Sequence, residues 1–196
     1  LKIIKKRSEL MQKACNATEG GMVSIVGLEI DKVEQVCREC EGYMTIANLN
    51  CPGQIVISGE KKYLQQASEK AKALGAKMAV VLNVAGGFHS KLMESALDEY
   101  KSFISGFKIN KSNLTKVLSN VTGKTFCEND DWVELMTKQI VSPVKWQDNL
   151  QFAIQQGVEV FYELGTGKTL AGMLKRIDRK AVCHNIDTFD QVALIS

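Results

Sequence analysis

The residues best suited to chemistry lie in one short stretch, 85–93, which reads Ala-Gly-Gly-Phe-His-Ser-Lys-Leu-Met. His89 is one of only two histidines among the 196 residues, and Gly86 and Gly87 precede it. Because imidazole changes its charge near neutral pH, a histidine on a glycine-flanked loop suits general acid–base catalysis. The alternative is a structural histidine, and this stretch alone does not decide between the two.

The residues after His89 must form the element that positions it. Ser90 is a favourable N-cap, and the apolar residues behind it recur at a spacing near 3.6, which predicts a helix. These apolar residues are Leu92, Met93, Ala96, Leu97, Tyr100, Phe103 and Ile104. His89 is therefore predicted to lie in a loop immediately before a helix.

A second helix is predicted over residues 1–15. Its apolar stripe consists of Leu1, Ile4, Met11 and Cys15, with Leu10 beside them. The basic residues of this segment lie mostly off the stripe, which is typical of a solvated helix face. The stripe is too narrow and short to favour a helix lying on a membrane surface.

Residues 22–82 carry a self-contained alternation of strand and helix signals. Strands are predicted at 22–26, 44–47, 54–59 and 77–82. Helices are predicted at 31–40 and 61–74, the second ending at Gly75. The resulting β-α-β-β-α-β order is the ferredoxin-like arrangement, which we interpret as a small subdomain inserted in a larger one.

Beyond residue 115, alternating strand and helix signals favour an α/β fold with parallel strands. Strands are predicted at 116–123, 158–164 and 181–186. A helix capped by Asp130 or Asp131 is predicted to end before Pro143, and further helices are predicted at 146–156 and through Leu170 and Leu174. This order places a large α/β unit after the small subdomain.

The turn at residues 165–169, Gly-Thr-Gly-Lys-Thr, is the main rival site because it is similar to the end of a phosphate-binding loop. That loop needs a glycine where this chain has Tyr162, and the dinucleotide-binding pattern needs one where it has Leu170. We therefore interpret the turn as an ordinary connection from a strand to a helix.

Two further candidates are interpreted as structural. The pair Cys37 and Cys40 has the C-x-x-C spacing, but zinc would need a second ligand pair, and a redox pair would lie at a helix start. His184 lies in a predicted strand of small and apolar residues.

Composition excludes several classes of function. The net charge is only +3, and no long basic run is present, so nucleic-acid binding is disfavoured. No apolar stretch reaches the ~18 residues that a membrane span needs, and the first residues lack the apolar run of a signal peptide. The six cysteines have no matching histidine partners, which indicates reduced thiols and a cytoplasmic location.

Five motifs follow one another along nearly the whole chain. They are Arg7–Gln12, Asn48–Gly59, Gly87–Ser90, Ser142–Trp146 and Glu163–Lys168. Through them the chain resembles the malonyl-CoA–acyl carrier protein transacylases of fatty acid synthesis. The resemblance implies an α/β fold, with part of an α/β-hydrolase-like large subdomain and an inserted ferredoxin-like small subdomain.

The same resemblance divides the chain into three segments. Residues 1–16 are expected to form an arginine-bearing helix of the large subdomain. Residues 17–84 are expected to form the small subdomain. Residues 85–196 are expected to form the remainder of the large one.

The resemblance also implies a mechanism. A serine attacks the thioester of malonyl-CoA, and the acyl-enzyme passes the malonyl group to the phosphopantetheine thiol of acyl carrier protein. His89 is similar to the general base and acid of that serine, and Gln139 to the residue whose backbone carbonyl holds the ring. The expected partners are malonyl-CoA and acyl carrier protein, with no cofactor, nucleic acid or membrane.

Substrate contacts follow from the same match. Arg7 is similar to the arginine that grips the free malonyl carboxylate, a task that suits the planar guanidinium fork. Phe88 is expected to form a wall that disfavours a branched methylmalonyl group. The remaining matched positions are Met11 and Asn50 in the pocket, and Gln54 and Lys77 near coenzyme A or the carrier.

The chain's most important departure from this family is an absence. The nucleophile of the family lies in a Gly-x-Ser-x-Gly turn upstream of the arginine helix, and these residues contain no such sequence. We therefore expect the chain to be the C-terminal part of the enzyme and to be inactive alone. Two alternatives stay open, namely an acyltransferase of a polyketide pathway and a non-catalytic fragment that docks a carrier protein.

Overall fold

Four antiparallel strands form the main sheet of the computed structural model, which describes residues 1–192. The strands are β1 (Gly20–Val26), β2 (Met44–Cys51), β3 (Gln54–Glu60) and β4 (Met78–Val81). They lie in the order β2-β3-β1-β4, so that β1 and β3 are central and β2 and β4 are the edges. The β2–β3 hairpin turns at Pro52 and Gly53, and Gly53 has the positive φ of +68° that such a turn favours.

Two amphipathic helices, α2 (Ile30–Glu39) and α3 (Leu64–Ala73), bury their apolar sides against the sheet. A short 3₁₀ turn (Lys61–Tyr63) leads into α3, and Gly75, with φ +100°, follows its end. The core between helices and sheet contains Val23, Ile25, Val33, Val36, Ile57 and Ala67. The alternation of apolar residues along the strands and their spacing of three or four along the helices produce this core.

A second core joins α1 (Lys2–Ala17) to the helical segment after His89, which is a 3₁₀ turn (Lys91–Ala96) followed by α4 (Leu97–Ser105). Its buried residues are Leu10, Met11, Ala14, Cys15, Met93, Ala96, Tyr100, Ile104 and Ile140. The predicted stripe of α1 is wrong at its start, because Leu1 and Ile4 are exposed. Ile3 packs on the core instead, since it lies seven residues before Leu10 and on the same helix face.

The predicted strand at 116–123 is also wrong in extent. Only Leu118–Ser119 is extended, as β5, and it pairs with β6 (Lys124–Thr125) in a short hairpin. The side chain of Ser119 accepts a hydrogen bond from the Val121 N–H, and the Gly123 N–H donates to the Ser119 carbonyl. These local bonds turn the chain before a longer strand forms.

The last part of the chain alternates helix and strand, as the sequence predicts. Strands β7 (Val160–Leu164) and β8 (Val182–Ile186) pair in parallel, and α8 (Thr169–Ile177) connects them. The other helices are α5 (Lys111–Leu114), α6 (Trp132–Lys138), α7 (Trp146–Gln155) and α9 (Phe189–Val192). Leu150, Leu174 and Ala181 form a third core between α7, α8 and this sheet.

The architecture of the described residues is therefore α/β, with a four-stranded antiparallel sheet, the short antiparallel hairpin β5–β6 and the parallel pair β7–β8. Among residues 1–192, no helix combines the length and the apolar character that crossing a bilayer requires.

Candidate functional site

His89 lies at the end of the loop that leaves β4, directly before the 3₁₀ turn at Lys91–Ala96. Its backbone φ of +56° is the only positive value among the described non-glycine residues. A residue with a side chain is strained in this left-handed region, and such strain persists only where the surroundings impose it. The backbone of His89 is therefore held in place by its neighbours.

The two glycines before His89 are needed because the loop passes close to packed elements. A Cβ atom on Gly86 would collide with Sγ of Cys15 on α1. A Cβ atom on Gly87 would lie 2.7 Å from Cδ1 of Leu92 and 3.0 Å from Oγ of Ser58 on β3. The loop is thus clamped between α1 and the main sheet, and only glycine fits at both positions.

The ring of His89 is oriented by a backbone group. Its Nδ1 lies 3.1 Å from the carbonyl oxygen of Gln139, the C-cap residue of α6. The last carbonyls of a helix have no partner within the helix, so this oxygen is free to accept. Because a carbonyl accepts only, Nδ1 carries the proton, and Nε2 keeps the lone pair that a general base needs.

The environment also sets the protonation state of His89. Burial lowers the pKa of His89 below its ordinary value of 6.5, and the nearby Arg7 guanidinium lowers it further. The backbone carbonyls of Gln139 and Ser142 oppose this shift, because they stabilise the protonated ring. The pKa remains lowered overall, so His89 is mainly neutral at pH 7 and able to accept a proton.

One cavity of about 450 Å³ brings several predicted site residues together. Its lining residues are Arg7, Ser8, Met11, Gln12, Met22, Asn48, Phe88 and His89. Of the predicted pocket residues, Arg7, Met11 and Phe88 are present, but Asn50 is not. Asn48, two residues earlier on β2, lines the cavity instead.

The position of Asn48 depends on a contact between distant segments. Val144, in the Ser-Pro-Val sequence that follows α6, forms an isolated parallel bridge with Asn48. The Val144 N–H donates to the Ala47 carbonyl at 2.8 Å, and the Leu49 N–H donates to the Val144 carbonyl at 2.9 Å. The register of β2 shifts on both sides of this bridge, between Ile46 and Asn48 and again between Leu49 and Cys51. The alternation along β2 therefore could not be extrapolated from sequence.

Arg7 is the cationic group of the cavity. Its Nε is buried and has no hydrogen-bond partner among the described residues. The hydroxyl of Tyr100 is also buried and has no hydrogen-bond partner among the described residues. Burial raises the pKa of Tyr100, and the positive charge of nearby Arg7 opposes that rise. A half-buried guanidinium with an unused donor is suited to binding a carboxylate.

The two residues predicted to contact coenzyme A or the carrier lie elsewhere, at one end of the main sheet. Val26 pairs with Gln54 on one side and with Met78 on the other, which brings Gln54 and Lys77 to the same end. Sequence reasoning missed Arg176 of α8, whose guanidinium donates to Oε1 of Gln54 and to the Pro52 carbonyl, both at 3.0 Å. No local signal links residues 122 positions apart.

The rival phosphate-binding turn is occupied by the protein itself. The Glu163 carboxylate accepts hydrogen bonds from the backbone N–H groups of Leu170 and Ala171, at 2.9 and 2.8 Å, and from Nδ2 of Asn185 at 2.8 Å. A carboxylate thus sits where a phosphate would bind, at the N-terminus of α8.

The cysteines and the second histidine have no arrangement suited to catalysis. All six cysteines are free thiols. Burial raises the pKa of Cys37 to about 12, so this thiol is a poor nucleophile. His184 stacks on Tyr162 with ring centroids 5.4 Å apart. The described residues contain no group of three or more potential metal ligands.

The comparisons with known proteins agree with one another. A model of the acyl transferase domain family matches residues 1–185. Malonyl CoA-acyl carrier protein transacylase of Staphylococcus aureus (strain MSSA476) is 37% identical over 195 residues, which are 98% of this chain and 63% of that protein. The enzyme of the same name from Bacillus subtilis (strain 168) is 40% identical over 180 residues, 90% of this chain and 56% of that protein. The chain spans less than two thirds of the length of these curated relatives.

Solved structures show the same likeness. A malonyl CoA-acyl carrier protein transacylase from Clostridium perfringens superposes with a TM-score of 0.90 at 33% identity, covering 99% of this chain and 61% of that one. A malonyl-transacylase in complex with a type II PKS acyl-carrier protein superposes with a TM-score of 0.89 at 30% identity, covering 98% and 63%.

Proposed function

This chain belongs to the acyl transferase domain family, and on that premise we propose that the protein transfers the malonyl group from malonyl-CoA to the phosphopantetheine thiol of acyl carrier protein in fatty acid synthesis. One observation carries the proposal most strongly: a single cavity presents the imidazole of His89 and the guanidinium of Arg7. The first is a general base and the second a carboxylate anchor, which are the groups that malonyl transfer requires.

The reaction proceeds in two balanced steps. The hydroxyl of a serine outside this chain gives its proton to Nε2 of His89 as its oxygen attacks the thioester carbonyl. Coenzyme A then leaves as a thiol, taking that proton from the imidazolium. In the second step the carrier thiol gives its proton to Nε2, its sulfur attacks the serine ester, and the serine oxygen recovers the proton as it leaves.

Three features of the chain's own residues support this sequence of events. The Gln139 carbonyl keeps the proton of neutral His89 on Nδ1, so that Nε2 accepts the next one. The same carbonyl stabilises the imidazolium formed in each step. The lowered pKa keeps the ring neutral before each attack. We propose that the reaction uses no cofactor.

The substrate contacts divide between two regions. We assign Arg7, Met11, Asn48 and Phe88 to the malonyl pocket, on the evidence of the shared cavity. Arg7 holds the free carboxylate, and Phe88 narrows the space beside the acyl carbon. We assign Gln54 and Lys77 to coenzyme A or carrier contact, and Asn50 stays a sequence-based assignment.

We also propose the domain organisation that the family resemblance implies. Residues 17–84 form a ferredoxin-like small subdomain, supported by the sheet order β2-β3-β1-β4 with two helices packed on it. Residues 1–16 and 85–192 belong to an α/β-hydrolase-like large subdomain, supported by the parallel pair β7–β8 and its connecting α8. The last four residues of the predicted segment, 193–196, lie outside the described residues. The free cysteines support a cytoplasmic location.

The test is an acyl-transfer assay of the intact natural protein with malonyl-CoA and holo acyl carrier protein. Mass spectrometry should detect a malonyl ester on the protein and malonyl thioester on the carrier. A polypeptide of these 196 residues alone should form neither. Absence of both products with the intact protein would refute the transferase, and a stable ester on the 196-residue chain would refute a serine outside it.

A polyketide carrier is the second candidate acceptor, favoured by the structural match to a transacylase bound to a type II PKS acyl-carrier protein. The pocket chemistry is the same for either carrier, so the acceptor is decided outside it. Comparing kcat/KM for the fatty acid carrier and a type II polyketide carrier distinguishes the two functions.

A further inference from the structure

The strained backbone of His89 is bracketed by the side chain of the next residue. Oγ of Ser90 donates a hydrogen bond of 2.6 Å to the carbonyl oxygen of Gly87, two residues before the histidine. The same Oγ accepts a hydrogen bond of 3.2 Å from the N–H of Leu92, three residues after it. One hydroxyl therefore joins the two ends of the turn that contains His89.

The two hydrogen bonds of the Ser90 hydroxyl are isolated from solvent. Ser90 is 1% exposed, so water does not compete for its two hydrogen bonds. Gly87, which supplies the accepting carbonyl, is buried against Leu92 and Ser58 and has no room for a side chain. The Gly87 carbonyl therefore belongs to a part of the loop that is packed against the main sheet, and the hydrogen bond from Ser90 fixes the histidine turn to that part.

The other contact to this turn does not span His89. The hydroxyl of Tyr43 accepts a hydrogen bond of 3.1 Å from the N–H of Lys91, which lies on the far side of the histidine from Gly87. The ring of His89 itself has its contact to Gln139. Among the described residues, Ser90 is the one whose side chain joins the chain before His89 to the chain after it by hydrogen bonds.

We propose that Ser90 is a positioning residue whose hydroxyl holds His89 in its left-handed conformation and so keeps Nδ1 on the Gln139 carbonyl. The role of Ser90 as an N-cap of the following helical turn explains its bond to Leu92, but not its bond to Gly87. Without the hydrogen bond from Ser90 to Gly87, the backbone of His89 can relax to an unstrained φ, and this change moves the ring away from the Gln139 carbonyl. The proton is then no longer confined to Nδ1, and Nε2 is no longer always the acceptor.

This inference rests on the proposed function only where it treats His89 as the base, so its first test needs no substrate. In the intact protein, ¹⁵N NMR of labelled histidine reports which ring nitrogen carries the proton, with His89→Gln assigning the signals. Wild type should show a single Nδ1–H tautomer for His89. Ser90→Ala should show a mixture, and Ser90→Thr, which keeps a hydroxyl, should restore the single tautomer.

The second test is the split between kcat and KM for malonyl transfer. Misplacing a reacting group by about 1 Å costs up to about a hundredfold in rate, so kcat of Ser90→Ala should fall roughly ten- to hundredfold while KM changes little. The thiol of Ser90→Cys is a weaker hydrogen-bond donor than a hydroxyl, so kcat of this variant should lie between those of wild type and Ser90→Ala. This variant provides the measurement if Ser90→Ala does not fold.

Ser58→Ala is the matched control. Ser58 is also buried, faces the same loop, and its hydroxyl has no hydrogen-bond partner among residues 1–192. It should leave the tautomer and kcat unchanged. A Ser90→Ala or Ser90→Cys variant with lowered thermal stability but an unchanged His89 tautomer would overturn the proposal, because the hydroxyl would then only stabilise the fold. Absence of transfer in wild type would instead refute the proposed function and leave the tautomer result standing.

Discussion

Nδ1 of His89 lies 3.1 Å from the backbone carbonyl oxygen of Gln139, a residue 50 positions further along the chain. His89 comes from the loop after the main sheet, and Gln139 ends α6. The two segments meet because Tyr100 and Ile104 of α4 share one apolar core with Ile140, the neighbour of Gln139. The orientation of the imidazole is therefore a property of that core.

Because the Gln139 contact is made by the backbone, side-chain substitutions at the two residues should differ sharply. His89→Ala should lower kcat by roughly 10²–10⁴-fold, the usual contribution of an acid–base group. Gln139→Ala keeps the carbonyl and should retain kcat within a few-fold. The measurement is steady-state malonyl transfer by the intact protein, with thermal unfolding to show that both variants fold. Equal losses in the two variants would contradict the backbone contact.

Removing Arg7 should weaken malonyl transfer but not acetyl transfer. A hydrogen bond between a charged donor and a carboxylate contributes roughly 1.5–3 kcal/mol, so Arg7→Ala should weaken malonyl transfer by about tenfold to a hundredfold. Acetyl transfer should be spared, because an acetyl group has no carboxylate. Arg7→Lys should recover only part of the loss, since lysine lacks the planar fork. The assay is kcat/KM with malonyl-, methylmalonyl- and acetyl-CoA.

Lys5→Ala is the matched control for Arg7, because Lys5 is an exposed cation on the same helix and pairs with Glu9. Lys5→Ala should leave kcat/KM unchanged for malonyl-, methylmalonyl- and acetyl-CoA. An equal fall for all three substrates in Arg7→Ala would mean that Arg7 stabilises the pocket without recognising the carboxylate.

The rate should depend on pH through His89. Its pKa is lowered below 6.5, chiefly by burial, so kcat/KM should fall with acid only below that pH. The contribution of His89 to the free energy of unfolding should decrease as the pH falls from 6.5 to the lowered pKa of the folded state, because over that range the unfolded chain binds the proton and the folded chain does not. Arg7 contributes to the lowering, so Arg7→Ala should move the acid limb to higher pH. An unmoved limb in that variant would contradict the electrostatic link.

The loop before His89 should tolerate a larger residue only if α1 makes room. A methyl group on Gly86 collides with Sγ of Cys15, so Gly86→Ala should destabilise the protein by roughly 1–3 kcal/mol and lower kcat as the loop shifts. Adding Cys15→Ala to that variant removes the colliding sulfur, so it should restore part of the stability and part of kcat. Denaturant unfolding of the two single variants and the double variant measures the coupling. Strictly additive changes would show that the two residues do not compete for space.

The features that depend on near neighbours along the chain were predictable from the sequence. Ser90 caps the turn that follows it, and Asp131 caps α6, because each accepts from an N–H two or three residues ahead. Helices α2, α3, α7 and α8, and strands β1 to β4, β7 and β8, follow from apolar spacing within a few residues. Local turn chemistry also explains the error at 116–123, where the side chain of Ser119 outweighed a short apolar run.

The site, by contrast, was decided by tertiary structure. The family resemblance pointed to Arg7, His89 and Gln139, but only packing brings them together across distances of 50 residues or more. The bridge from Val144 and the shifts of register beside it place Asn48 in the cavity instead of Asn50. Packing between distant elements also imposes the left-handed backbone of His89 and brings Arg176 to Gln54. Periodicity and capping act over about four residues, whereas these relationships depend on how separate elements pack, which no local pattern encodes.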